Sequence, residues 1–122
     1  MKALVIAIAA AVIILALSVA NANFVTSFAD DLIGLIEKTP ETTDLFSPDS
    51  MSDFFGRWEE KRQLIALSVN FDYLYDVERT ALEMYSCGMS DGDSDYLDAK
   101  AQLISSLTLL RDVETFSFFN VI

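Results

Sequence analysis

From Ala3 to Ala20 no side chain is charged and only Ser18 is polar, so a helix here has no polar face to turn towards water. Such a segment must be buried all round. A chain of 122 residues has little interior to offer it. A run of about 20 apolar residues at roughly 1.5 Å each matches the roughly 30 Å hydrocarbon layer of a bilayer, and lipid is therefore the expected solvent. From Phe24 the pattern changes to a stripe. Phe24, Val25, Phe28, Leu32, Leu35 and Ile36 fall at helical spacing, with Asp30, Asp31, Glu37 and Lys38 on other faces. This predicts an amphipathic helix ending near Thr39, because Pro40 disfavours helical geometry in the residue before it and cannot donate into the preceding turn.

The connector that follows sends Leu45 and Phe46 into the core. Ser47-Pro48-Asp49 then reads as a helix start: a hydroxyl to cap exposed amides, a proline where its missing N–H costs nothing, and a carboxylate at the positive helix end. Met51, Phe54, Phe55, Trp58, Ile65 and Val69 form its inward stripe, and Glu59, Glu60, Lys61 and Arg62 are expected to be mainly solvated. Gly56 within that pattern suggests close approach of another helix. Near Asn70 the phase slips to Phe71, Leu74, Val77, Ala81, Met84 and Tyr85, which fits either one long wrapping helix or a break at Asn70. Gly88 is the expected stop.

Residues 89–94 are turn-rich. A last helix is expected to begin near Ser94 or Asp95, capped by Asp93 or Ser94. It turns Leu97, Ala101, Ile104, Leu107, Leu110 and Val113 inward and fades around Glu114. The apolar tail, residues 116–122, packs back on the bundle or offers a patch to a partner. The pattern thus predicts an all-α fold: a small antiparallel bundle of three to four helices over residues 23–122, preceded by an N-terminal transmembrane or signal helix at residues 1–22.

Three readings of residues 1–22 stand. Lys2 with the amino terminus, the apolar run and Ala20-Asn21-Ala22 resemble a signal peptide cleaved after Ala22. The length of the run, and the helical pattern that begins immediately after it, fit an uncleaved anchor. A buried helix of a soluble domain is the third. Both export readings leave Lys2 inside and carry the remainder outside the cytoplasmic membrane, tethered or secreted.

Composition narrows the partners. The formal charge is −11, and losing Lys2 with the first segment makes the remainder more negative still. Such a surface repels nucleic-acid phosphates and anionic headgroups, which excludes nucleic-acid binding. The single cysteine, Cys87, has no intramolecular partner and is expected to be a small buried side chain, or else to pair between two chains.

Several features taken together resemble the small bacterial membrane-associated proteins grouped as domain of unknown function 4363. They are the N-terminal apolar segment, the Trp58 helix running into Leu64-Ile65-Ala66-Leu67-Ser68-Val69-Asn70, then Asp72 and Val77-Glu78, the leucine-rich helix from Leu103 to Leu110, and the closing Asn120-Val121-Ile122. The resemblance spans most of the chain on loose motifs. It implies an all-helical exported domain and no established activity. Where relatives often carry histidine after the tryptophan helix, this chain has Asn70-Phe71, so no metal or acid–base role is carried to that position.

The candidate chemistry is sparse. Asp91-Gly92-Asp93-Ser94-Asp95 starts like a calcium loop, but Tyr96 stands where the loop needs glycine and Gln102 where it needs glutamate. Asp72, Asp76, Glu78 and Glu83 would supply paired carboxylates only if held across a cleft. Trp58 with Phe54 and Phe55 would line a ligand groove or, more simply, a core. The residues 59–62 form a charge cluster fit for a partner or for helix support. With no histidine, no nucleophile elbow and no phosphate-cradling glycine loop, no catalytic, cofactor-binding or metal-ligating residue is assigned. The expectation is a non-enzymatic protein-interaction module, with an extracytoplasmic ligand- or divalent-cation-binding module as the alternative.

Overall fold

The computed structural model describes residues 1–67, 69–90 and 92–121, with side chains described through Val113. Every regular element among them is helical: α1 (Lys2–Glu37), a short 3-10 turn (Pro48–Met51), α2 (Ser52–Ala66), α3 (Phe71–Gly88) and α4 (Asp93–Val121). The 36 residues of α1 form one unbroken helix of roughly 54 Å. Its two halves live in different surroundings. Ala22, Val25, Phe28, Ala29, Leu32 and Ile36 are buried against the other helices, whereas none of its most apolar 18-residue stretch is covered. A helix long and apolar enough to cross a membrane or serve as a signal sequence is therefore present at the N-terminus, its most apolar stretch uncovered by the rest of the chain.

Pairwise contacts fix how the helices lie. Thr39 accepts from Lys100 and Asp30 pairs with Arg111, so numbering falls along α1 as it rises along α4. Asp31 reaches Arg57 and Phe28 stacks on Trp58, giving the same opposed sense for α1 and α2. Phe55 meets Tyr85 edge-on and Arg62 pairs with Glu78, so α2 and α3 also run in opposed senses. The core threads between them through Leu32, Ile36, Met51, Phe54, Ile65, Leu74, Met84, Leu103, Leu107 and Leu110, all essentially inaccessible to solvent.

The two halves of the phase slip are separate helices. Asn70 breaks the chain and caps α3, its side-chain oxygen accepting from the Asp72 amide at 3.0 Å. The helix start at Pro48 is a 3-10 turn rather than α-helix, closed by the Ser47 amide donating to Ser50 Oγ at 3.0 Å.

Several inward assignments are corrected. Phe46 is buried but Leu45 is 74% exposed, because the turn bonding the Phe46 amide to Thr43 leaves only one of the two neighbours facing the helices. Phe71 opens α3 on its outer side, over the Arg62 guanidinium at 5.3 Å. In α4 the stripe is shifted: Tyr96, Ala99, Lys100 and Leu103 are buried, while Leu97 and Ala101 are exposed. This helix meets both α1 and α3, and the arc it buries is centred one residue earlier than Leu97-Ala101-Ile104 implies. Nor does α4 fade at Glu114, since its helical backbone continues to Val121. The apolar side chains of the tail lie outside the described residues.

Helix α3 ends at Gly88 as expected, but the reason for glycine there is different, and Gly56 has no close neighbour. The stop involves no left-handed turn, as Met89 beyond it has φ −83° and no glycine has positive φ. Gly88 is buried, and a Cβ there would stand 2.6 Å from the Phe46 ring, so glycine is required by packing. Gly56 faces open space. With no clash to offset the gain in helix propensity, Gly56→Ala is expected to raise stability by about 1 kcal/mol, read as a rise in urea midpoint at unchanged slope.

Candidate functional site

Trp58 sits where α1, α2 and α3 converge. Its ring is buried, stacked at 6.0 Å on Phe28 and at 6.4 Å on Phe54, and its indole N–H needs an acceptor. Glu78 of α3 supplies it, accepting from Trp58 Nε1 at 3.2 Å; the same oxygen accepts from Arg62 Nε in a closer ion pair. Arg62 and Glu78 are thus half-buried partners rather than solvated charges. One turn after Trp58 on α2, Arg62 reaches the same carboxylate because residues four apart share a helical face.

This triad forms the floor of an open groove of about 420 Å³ between α2 and α3, walled by Phe55, Ala81 and the outward-facing Leu82. Trp58 and Phe54 are core residues first; only their edges reach the groove. The groove is mainly apolar, with one compensated charge pair at its base. An arginine and an indole N–H held on one carboxylate oxygen make a fixed structural acceptor.

The other carboxylates proposed from sequence are not brought together across this groove. Asp76 and Glu83 both reach Arg79, at 3.8 and 3.6 Å, on the exposed side of α3. Asp72 lies in the first turn of α3, where the helix dipole favours a negative charge. In the 59–62 cluster, Lys61 approaches Glu60 at 3.7 Å, a surface pair of small energetic weight.

Asp93 does not cap α4. Its carboxylate crosses to the connector, accepting from the Thr43 hydroxyl at 2.7 Å and the Thr43 amide at 2.9 Å. Those two bonds, the hydroxyl's first, hold its pKa below the usual aspartate value. The calcium-like loop has therefore committed one of its carboxylates to a structural tie, and Asp91 lies outside the described residues. Among the described residues no group of three or more potential metal ligands converges.

Two buried polar groups that sequence periodicity missed close the opposite end of the molecule. Tyr96 donates to the Pro40 carbonyl, and Lys100 places its ammonium 3.2 Å from the Thr39 carbonyl. A cation at the carbonyl end of α1 complements the helix dipole and satisfies a carbonyl beyond the last turn. Burial raises the Tyr96 pKa, opposed by hydrogen bonding from the Thr39 side. Cys87 is half-buried beside α4. Burial pushes its thiol up, and Asp95 and Glu83 push it further, so it is a poor thiolate.

No protein-family model, curated protein or solved structure matches the chain.

Proposed function

We infer that the chain is a small antiparallel helical bundle displayed outside the cytoplasmic membrane of a bacterium, anchored through residues 1–22 and acting by protein–protein contact. One observation carries this reading: α1 is continuous across the boundary between membrane segment and bundle, bare on one side of it and buried on the other. Cleavage after Ala22 would cut a helix between Ala22 and Val25, both of them packed in the core. The retained anchor is therefore favoured over the released form. The likeness to the proteins of domain of unknown function 4363 belongs to the same proposal.

Contact, rather than catalysis, is supported by the way the carboxylates are used. Glu78 holds Trp58 and Arg62, Asp76 and Glu83 share Arg79, and Asp93 ties down the connector. The groove between α2 and α3 has the apolar walls and single polar anchor common at recognition surfaces. The cation-binding alternative draws on the acidic charge alone, and a calcium titration that leaves the melting temperature unmoved would remove it.

The test is capture from detergent-solubilised membranes with the full chain as bait, beside Leu82→Glu. Leu82 is exposed on the groove wall, so its replacement leaves the core intact. A partner retained by the native chain and lost with Leu82→Glu, at equal melting temperature, supports the reading. Absence of any such partner together with a measured hydrolytic activity overturns it.

A further inference from the structure

The anchor helix leaves the bundle at one end, and that end is where the remaining helices lose their charges. On α1 no acidic or basic residue occurs between Lys2 and Asp30. Between Arg62 and Asp76 the only charged residue is Asp72, although the chain as a whole is 22% charged. Beyond Glu114 there is none. These three stretches are far apart in sequence, and the helix register brings them together. With Arg57 against Asp31 and Trp58 against Phe28, carrying the pairing to the end of α2 at 1.5 Å per residue sets the corner between Ala66 and Phe71 level with about residues 19–22 of α1. By the same step from Arg111 against Asp30, the last turns of α4 come to about that level.

That level is the outer boundary of the membrane segment, since about 20 residues from Ala3 fill a hydrocarbon layer of roughly 30 Å. The corner also exposes three large apolar side chains close together in sequence: Leu67 is 85% exposed, Phe71 58% and Leu64 52%. Tyr73 and the exposed Tyr75 stand just beyond, residues suited to the interface between hydrocarbon and headgroups. The one carboxylate present, Asp72, is placed at the amide end of α3, which favours its charge.

We propose that the α2–α3 corner is a second membrane contact, with Leu64, Leu67 and Phe71 entering the outer leaflet beside α1, so that the bundle sits on the bilayer instead of swinging above it. This rests on the anchored reading of α1. The lipid it fits is zwitterionic, because a chain of charge −11 is repelled by anionic headgroups. A bilayer is the occupant the geometry favours, because the bare half of α1 emerges beside the corner and must itself be covered by lipid.

The experiment uses the full chain carrying Cys87→Ala, reconstituted in phosphatidylcholine vesicles with and without nitroxide-labelled lipid. A polarity-sensitive fluorophore is attached at Leu67→Cys, Phe71→Cys or Leu45→Cys. Leu45 is the control, being 74% exposed in the connector at the opposite end. Flotation is read first: a chain that does not float with the vesicles overturns the anchored reading, and this proposal with it. In chains that float, blue-shifted emission at positions 67 and 71, quenched by lipid nitroxide several-fold more than at position 45, is expected. Water-like emission at all three positions overturns the second contact while leaving the anchor standing. Blue-shifted emission that lipid nitroxide does not quench overturns it too, in favour of coverage by a second copy of the chain.

Discussion

Replacing Leu103 with alanine is expected to destabilise the domain by about 2–5 kcal/mol, whereas the same truncation at Leu97 changes stability by less than about 0.5 kcal/mol. Both are leucines on α4, six residues apart, and simple periodicity favours Leu97. Leu103 is fully enclosed, and deleting its isobutyl group removes transfer free energy and leaves a cavity that the surrounding helices close only in part. Leu97 is already 44% exposed and leaves no enclosed void. Urea unfolding of the two variants reads the difference directly. Similar losses at both positions would mean that the face of α4 turned to α1 and α3 has been misplaced.

Gly88→Ala is expected to cost about 1–3 kcal/mol, opposite in sign to Gly56→Ala although both put alanine into a helix. A methyl group at position 88 enters the Phe46 ring, and Phe46 cannot retreat easily because Tyr85 and Tyr96 flank it edge-on at 6.1 and 5.3 Å. At roughly 4–8 °C per kcal/mol for a domain of this size, the melting temperature falls measurably. The mechanism has its own check. In a Phe46→Leu background the same glycine change should cost less, because the atoms it strikes are gone. Equal costs in the two backgrounds would assign the loss to something other than this contact.

These contrasts mark how far the sequence reaches. The stripes of α1, α2 and most of α3 are legible in the spacing: Val25, Leu32, Phe54, Trp58, Ile65, Val77 and Met84 are all buried where it places them. The stripe of α4 is legible only in its later turns, where Leu107 and Leu110 are buried as the spacing places them; in its first turns Leu97 and Ala101 are exposed and the buried residues include Tyr96 and Lys100. Their burial depends on the carbonyls of Thr39 and Pro40 at the end of α1, more than 50 positions away. Glycine was ambiguous for the same reason: only the arrival of Phe46 decides what Gly88 is for.

The candidate site divides in a similar way. Trp58 stands out in the sequence, and of its aromatic neighbours Phe54 is core while Phe55 is partly buried on the groove wall. What spacing does not reveal is that Glu78, on a different helix, meets both Trp58 and Arg62. A carboxylate followed along its own helix reads as solvated or catalytic. Seen across the groove, it is the acceptor that lets a buried indole and a half-buried guanidinium coexist.

What supports the proposed display at a membrane is the single helix shared by the bare apolar segment and the packed helices. A flexible joint after Ala22 would let a signal peptide be removed without touching the packed helices, whereas here removal would cut α1 just ahead of the buried Val25 and Phe28 and take the buried Ala22 with it. The most direct measurement is the N-terminal residue and intact mass of the protein recovered from alkali-washed membranes of cells expressing the full chain. Anchoring by an intact α1 predicts a membrane-bound species beginning at Met1; a soluble species beginning at Asn23 would contradict it.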